Sequence, residues 1–177
     1  MLRIKDNSVF IYGLIILVIV SRLIPHPANF TPIAAVGLFA GAYLTRRIVW
    51  LIPFAALIVS DLLIGLYHVY AMLFVYLGFA ANILIGRLLL MQKRSLVNLL
   101  AGSLMSAFIF FIFSNFGVWL TGMMYPMTFA GLSECFIMAI PFFENTLYGT
   151  LFYVIVLFGT CETLQGWKGR QQNTHTA

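Results

Sequence analysis

Six apolar stretches, separated by short polar segments, constrain the fold of this chain more than any other feature. A helix that crosses the hydrocarbon core of a bilayer needs about 20 apolar residues, within a range of roughly 17–25. Only 8% of the residues are charged, whereas soluble domains carry about 25% charged residues. The sequence therefore predicts an all-α membrane protein, a single domain (residues 1–177) built as a bundle of six transmembrane helices. The predicted spans are residues 9–24, 31–44, 48–66, 70–90, 96–120 and 142–164.

The basic residues provide an independent test of this count, because six spans place both termini on one side of the membrane. On that side lie Arg3, Lys5, Arg46, Arg47, Arg87, Lys93, Arg94, Lys168 and Arg170, and only Arg22 lies on the other. Lys and Arg are enriched in cytoplasmic loops. We therefore expect a multi-pass protein of the cytoplasmic membrane with cytoplasmic termini. Residues 121–141 would form a partly helical segment at the outer face, and residues 165–177 a polar tail.

Two charged residues, Arg22 and Asp61, lie near the outer ends of the first and third predicted spans. An aspartate at the centre of a span costs roughly 2.5–3.5 kcal/mol on insertion scales, so Asp61 calls for a reason. Its role is either structural, as a partner for Arg22 or a helix-end residue drawn towards water, or it takes part in binding a ligand or an ion, and the sequence leaves both open. A proline-rich segment, residues 25–32, follows Arg22, and its restricted backbone would hold Asn29 in a fixed place.

A second set of polar residues lies at the outer ends of the last two predicted spans. Asn115 and Trp119 are spaced i, i+4 and share one helix face, while Glu144 begins the sixth span. A tryptophan at this level is also a common interfacial anchor, and a glutamate near a helix N-terminus is stabilised by the helix dipole. Carboxylate, amide and aromatic groups that converge at an open mouth nevertheless suit a small polar or ring-bearing solute. The predicted substrate-binding residues are Arg22, Asn29, Asp61, Asn115, Trp119, Glu144, Asn145 and Tyr148.

Small and polar residues inside the spans indicate close helix packing. Ala34, Gly37 and Gly41 lie in the second span, and residues of this size let helices approach closely. Such packing would be either internal or against a partner protein. Asn82, in the middle of the fourth span, is predicted to form a hydrogen bond to a neighbouring helix.

The sequence carries no signature of catalysis, of metal binding or of nucleic-acid binding. It contains no P-loop and no H-E-x-x-H, G-x-S-x-G or C-x-x-C motif. Cys135 and Cys161 are predicted on opposite membrane faces, so we expect no disulfide between them. The basic residues form short pairs rather than a patch that would bind nucleic acid. We expect a protein without enzymatic activity, without a metal or other cofactor, and with the lipid bilayer as its surroundings.

Several short motifs lie in and between the spans. They are Arg22…Pro25-His26-Pro27-x-Asn29-Phe30-Thr31-Pro32, Ser60-Asp61, Ser114-Asn115-Phe116-x-x-Trp119, Tyr125-Pro126 and Ala139-Ile140-Pro141-Phe142-Phe143-x-Asn145-Thr146. Over roughly residues 10–163, the chain resembles a group of small uncharacterised bacterial membrane proteins. That group is similar in architecture to the substrate-binding S components of energy-coupling factor (ECF) transporters.

The resemblance implies a six-helix S-component fold that binds a vitamin-like or metal micronutrient near the outer surface. It also implies a transmembrane coupling subunit and two cytoplasmic ATPases as partners, and an S component that topples in the membrane to release its substrate. S components dock through an A-x-x-x-A pattern on their first helix, and the nearest match here, Gly37-x-x-x-Gly41, lies in the second span. The N-terminal histidine motif of metal-type S components is missing, so we expect an organic solute.

Two other functions remain open at this point. The chain could act alone as a secondary carrier in which Asp61 or Glu144 couples transport to protons. It could instead be a membrane-embedded enzyme or assembly factor with His26, Asp61 and Glu144 as polar site residues. The S-component function is preferred, because a carrier is expected to place ionisable groups nearer the membrane midplane and no catalytic pair can be argued from spacing.

Overall fold

The computed structural model describes residues 8–44 and 48–174 of the chain. These residues form six α-helices, one π-helical segment and, within those limits, no β-strand. The helices are α1 (Ser8–Leu23), α2 (Ile33–Tyr43), α3 (Ile48–Ile64), α4 (Val69–Ile85), α5 (Leu96–Leu120) and α6 (Phe129–Thr174), and the π-helical segment is Gly86–Leu90. The predicted all-α class is confirmed.

Within the described part of the chain, three helical stretches are long and apolar enough to cross a membrane. They are Val69–Leu90, Leu96–Leu120 and Phe129–Leu164, whereas α1, α2 and α3 are shorter apolar helices. The exposed residues of the molecule include many large apolar side chains, such as Leu51, Phe108 and Ile155. Large apolar surface of this kind marks contact with protein or lipid, so the chain is a membrane-associated helical protein.

Helix α2 is the centre of the molecule. All eleven of its residues are buried, and it contacts each of the other five helices and the π-helical segment. Its Phe39 and Tyr43 pack against Phe158 of α6, with ring centroids 5.2 and 5.5 Å from the Phe158 ring. A helix of eleven residues is only about 16 Å long, so α2 is a short buried axis around which the longer helices are arranged.

Glycines allow α2 to approach α4 and the π-helical segment backbone to backbone. A methyl group on Gly41 would overlap the carbonyl oxygen of Ile83, and one on Gly86 would overlap the carbonyl oxygen of Leu38. A methyl group on Gly37 would lie 2.8 Å from Cβ of Asn82. Ala34 is also buried. The small-residue face of α2 is therefore used for packing inside the protein.

The sequence prediction for Asn82 is wrong in one respect. Its side chain is fully buried beside Gly37, but neither its amide nitrogen nor its amide oxygen has a hydrogen-bond partner among the described residues. A methyl group on Gly37 would also lie 3.5 Å from the backbone of Asn82 and of Ile83, so α2 packs directly against this turn of α4. The expected hydrogen bond to a neighbouring helix is not formed.

Helix α6 differs most from the sequence prediction, which placed an outer-face segment at residues 121–141 and began the sixth span at residue 142. The helix begins at Phe129 because Thr128 caps it: its hydroxyl accepts a hydrogen bond from the Gly131 amide (3.2 Å) and its carbonyl accepts one from the Leu132 amide (2.9 Å). Pro141 lies inside the helix, where it removes one backbone donor without ending it. The helix also continues through the predicted polar tail as far as Thr174.

Candidate functional site

A cavity of about 430 Å³ opens where α1, α3 and α5 end and where α2 and α4 begin. We call it the Arg22 cavity. Pockets that bind small molecules in proteins measure roughly 300–1,000 Å³. Its walls include apolar side chains of α2, α4 and α5, among them Ile33, Val75 and Phe110. Its polar lining consists of Arg22, His26, Asn29, Thr31, Tyr67, Ser114 and Asn115.

Arg22 is held in this wall by a buried ion pair with Asp61 of α3. Its Nη1 lies 2.5 Å from Asp61 Oδ1 and 2.5 Å from the hydroxyl oxygen of Ser60. The second oxygen of Asp61 accepts a hydrogen bond of 2.8 Å from the Tyr76 hydroxyl of α4. The Asp61 side chain is 0% exposed and that of Arg22 13%. The network therefore ties α1, α3 and α4 together and presents the guanidinium, not the carboxylate, to the cavity.

Tyr67 lies in the turn between α3 and α4 and lines the same cavity beside Arg22. Burial, followed by the negative charge of Asp61, raises the pKa of the Tyr67 hydroxyl to about 12, although the Arg22 guanidinium acts in the opposite direction. The phenol is consequently neutral throughout the physiological pH range and can donate a hydrogen bond.

The segment that leads into α2 forms another wall of the cavity. Asn29 has a backbone φ of 64°, in the left-handed region, which Asn tolerates better than most residues. The Phe30 amide donates to the Pro27 carbonyl (3.0 Å) and the Thr31 amide to the Asn29 carbonyl (3.0 Å), so this turn is tightly closed. At the N-terminus of α2, no side chain of the described part of the protein caps the helix at Pro32, and the adjoining Ile33 lines the cavity.

Asn115 and His26 of the lining each have one polar atom held by a nearby backbone carbonyl and a second polar atom that is not. The Asn115 Nδ2 group donates to the Phe111 carbonyl at 2.8 Å. The other polar atom of this amide, Oδ1, can accept a hydrogen bond from a solute in the cavity. His26 Nδ1 lies 2.5 Å from the Ile24 carbonyl. Because a carbonyl oxygen only accepts, this contact makes Nδ1 a donor and leaves Nε2 as the ring nitrogen without a partner within the ring's own segment.

The structure brings some of the predicted site residues together and separates others. Arg22, Asn29 and Asn115 line the cavity, and Asp61 lies directly behind Arg22. Of the two roles left open for Asp61, the structure contains the pairing with Arg22. Trp119 is not part of the cavity lining, and its indole N–H donates to the Pro126 carbonyl at 3.0 Å. This bond holds the end of α5 against the segment that precedes α6.

Glu144, Asn145 and Tyr148 do not reach the Arg22 cavity. Because α6 begins at Phe129, these three residues lie several turns into the helix rather than at its start. Glu144 and Tyr148 are exposed, and Asn145 is partly buried. The predicted site residues of the sixth helix therefore do not share the Arg22 cavity with Asn115.

Sequence reasoning missed two contributors to the site, Tyr67 and Tyr76. Tyr67 lies six positions after Asp61, in the predicted turn between the third and fourth spans. This position is only a weak indication that Tyr67 lies close to Asp61 in the folded protein. The contact of Tyr76 with Asp61 depends on how α4 packs beside α3, and no sequence pattern indicates it. Within the described residues, no group of three or more His, Cys, Asp or Glu side chains could hold a metal ion.

Comparison with known proteins gives one match. No curated protein and no solved structure matches the chain. The model of a family of unknown function, DUF6580, matches residues 3–172. Because this match covers nearly the whole chain, the protein belongs to the DUF6580 family.

Proposed function

We propose that the protein is the substrate-capture subunit of a micronutrient importer of the ECF type, a six-span S component that binds a small organic solute in the Arg22 cavity. The observation that carries the proposal is the cavity itself. It combines a volume suited to a small molecule with polar groups from α1, α5 and the turns before α2 and α4. The buried Arg22–Asp61 pair fixes the most strongly charged of these groups.

The position of the cavity supports capture from outside the cell. It lies at the helix ends that the distribution of basic residues assigns to the outer face. At the opposite ends of the helices, Arg94 forms an ion pair with Glu162 (3.2 Å), and the Tyr43 hydroxyl donates to the same carboxylate (2.7 Å). Arg87 and Lys93 lie close to Arg94 in the chain, so the basic residues cluster away from the cavity.

A capture subunit of this kind needs partners to complete transport. The sequence contains no P-loop, so uphill movement of a solute would draw its energy from another subunit or from an ion gradient. In the proposed role the partners are a transmembrane coupling subunit and cytoplasmic ATPases. The protein itself binds and releases the solute and catalyses no reaction.

Native mass spectrometry of the protein, extracted gently from its own membrane, tests this function. We expect a retained small molecule in the wild-type protein and its loss in Asn115→Leu, which removes a polar group from the cavity wall. Tyr148→Phe serves as the matched control, because Tyr148 is 60% exposed and lies away from the cavity. Retention that is unaffected by Asn115→Leu, or equally reduced by Tyr148→Phe, would contradict binding in the Arg22 cavity.

A second candidate is a stand-alone carrier coupled to protons. The observation that favours it is the fully buried carboxylate of Asp61, next to a solute-sized cavity. A carrier would accumulate solute in proteoliposomes that contain this subunit alone, driven by a pH gradient, and Asp61→Asn would abolish the accumulation. A capture subunit would bind solute under the same conditions without transporting it.

A further inference from the structure

The Arg22 cavity offers both donors and acceptors of hydrogen bonds. Arg22 and Tyr67 supply donors at the side formed by α1 and the α3–α4 turn. On α5, Asn115 supplies the acceptor Oδ1, and in the segment before α2 the side chains of Asn29 and Thr31 carry both donors and acceptors. A solute that satisfies both kinds of group must itself carry an acceptor and a donor.

The geometry of the Arg22 guanidinium indicates what kind of acceptor it takes. Both hydrogen bonds to α3, to Ser60 and to Asp61, use the single nitrogen Nη1. The Nε–H and one Nη2–H lie parallel on the other edge of the planar group. This edge matches the two oxygens of a carboxylate, and such bidentate pairs are shorter and roughly twice as strong as hydrogen bonds between neutral groups.

The charge balance favours a monoanion. Among the described residues that line the cavity, Arg22 is the permanently charged cation, and Asp61 already compensates part of its field. A phosphate dianion would need more fixed positive charge than this wall offers. A carboxylate needs one guanidinium edge, and the neutral Tyr67 hydroxyl can donate a further hydrogen bond to it.

The other residues that line the cavity indicate the chemistry of the rest of the solute. Val75 and Phe110 line the cavity and offer apolar contact, and Asn115 Oδ1 can accept a hydrogen bond from an N–H group. We propose that the solute is a small carboxylic acid with an apolar or aromatic body and an N–H donor, whose carboxylate binds the Nε–Nη2 edge of Arg22 and whose N–H group binds Asn115. This inference rests on the proposed function, because it specifies the solute of the same site.

The probes 3-aminobenzoate and 3-aminobenzamide test the inference, since they differ only in the carboxylate and both carry an N–H donor. Each is titrated at neutral pH and constant ionic strength into the full-length protein in detergent, and the midpoint of thermal unfolding is followed. We expect 3-aminobenzoate to raise the midpoint and 3-aminobenzamide to bind about tenfold more weakly or worse, as the loss of one charge-assisted pair implies.

Arg22→Lys is the matched variant, because lysine keeps a positive charge for Asp61 but has no bidentate edge. We expect it to weaken binding of 3-aminobenzoate about tenfold and to weaken binding of 3-aminobenzamide clearly less, because the amide does not form the bidentate charged pair. Asn115→Leu should weaken both probes alike. Equal binding of the two probes, or full affinity of Arg22→Lys for the acid, would overturn the inference.

The two proposals can fail separately. If both probes bind equally and Asn115→Leu weakens both, capture in the cavity stands and the carboxylate is wrong. If neither probe binds, the molecule retained from the native membrane decides: an acid bearing an N–H donor supports the inference, and a neutral or cationic molecule overturns it. If neither probe binds and no molecule is retained, both proposals fall.

Discussion

Arg22 Nη1 and Asp61 Oδ1 lie 2.5 Å apart, but the two partners are buried to different degrees. The Asp61 side chain is 0% exposed and is surrounded by α3 and α4, whereas Arg22 lines a cavity. Breaking a buried ion pair by removing one partner is strongly destabilising, because the other charge is left uncompensated. The cost should therefore depend on which partner is removed.

We predict that Arg22→Met destabilises the protein more than Asp61→Asn. In Arg22→Met, the buried Asp61 carboxylate loses its cation and keeps the hydrogen bond from the Tyr76 hydroxyl. The free energy of unfolding should fall by about 3–5 kcal/mol. Asp61→Asn leaves a guanidinium that can be hydrated from the cavity, so its cost should be smaller. Equilibrium unfolding in mixed micelles of increasing sodium dodecyl sulfate measures both. The double variant Arg22→Met/Asp61→Asn should be more stable than Arg22→Met alone, and an equal or reversed order of the single variants would refute the argument.

The Arg94–Glu162 pair should behave differently, because the Glu162 side chain is 55% exposed. Exposed ion pairs contribute about 0–1 kcal/mol. Glu162→Gln keeps an oxygen that can accept the hydrogen bond from the Tyr43 hydroxyl, and the Arg94 guanidinium remains 4.2 Å from the centre of the Tyr43 ring. We therefore expect a loss below about 1 kcal/mol in the same unfolding assay. A loss as large as that of Arg22→Met would mean that the pair is a major support of the fold.

Part of this architecture could be predicted from the sequence. The fifth predicted span, residues 96–120, has the same limits as α5, since a long apolar run bounded by a serine cap and a turn specifies its own ends. The start of α6 was misplaced because local rules treat Pro141 as a break, whereas the helix begins at the Thr128 cap.

The sequence predicts part of the candidate site, because local signals fix the ends of some helices and the turns between them. Arg22, Asn29 and Asn115 lie in turns or near the ends of helices whose limits local sequence fixes, and they do meet at one cavity. The sequence places Glu144 and Tyr148 at the start of the sixth helix, whereas α6 begins at Phe129 and these residues do not line the cavity. The hydrogen bond between Tyr76 and Asp61 arises from the packing of α3 beside α4, which no local pattern encodes.

Glycine substitutions test the close approach of α2 to its neighbours. Gly41→Ala places a methyl group on the backbone carbonyl of Ile83, so the helices must separate. Overpacking of this kind costs typically about 1–3 kcal/mol. Gly13→Ala in α1 is the control, because its methyl group would meet no atom of the described structure within 4 Å. It should stabilise the protein slightly, by up to about 1 kcal/mol from helix propensity. Similar effects of the two substitutions would contradict the packing described for α2.

Two buried serines of α5 offer the most direct comparison of satisfied and unsatisfied polar groups. Ser103 and Ser106 are both 0% exposed. The Ser103 hydroxyl donates to the Leu99 carbonyl at 2.7 Å, but the Ser106 hydroxyl has no partner among the described residues. Gly78 packs against Phe110, and Gly117 against Ala71, so this antiparallel register places Ser106 level with Asn82, whose amide is equally unpaired.

We predict that Ser106→Ala is neutral or stabilising while Ser103→Ala is destabilising. A buried hydroxyl without a partner carries a desolvation penalty of about 1–3 kcal/mol, and its removal relieves that penalty. Removal of the Ser103 hydroxyl instead loses a formed hydrogen bond, with a net contribution of about 0.5–1.5 kcal/mol. The two substitutions delete the same atom from the same helix at the same burial, so the difference between their unfolding midpoints isolates the hydrogen bond. A Ser106→Ala protein less stable than Ser103→Ala would show that the Ser106 hydroxyl has a partner in the folded protein.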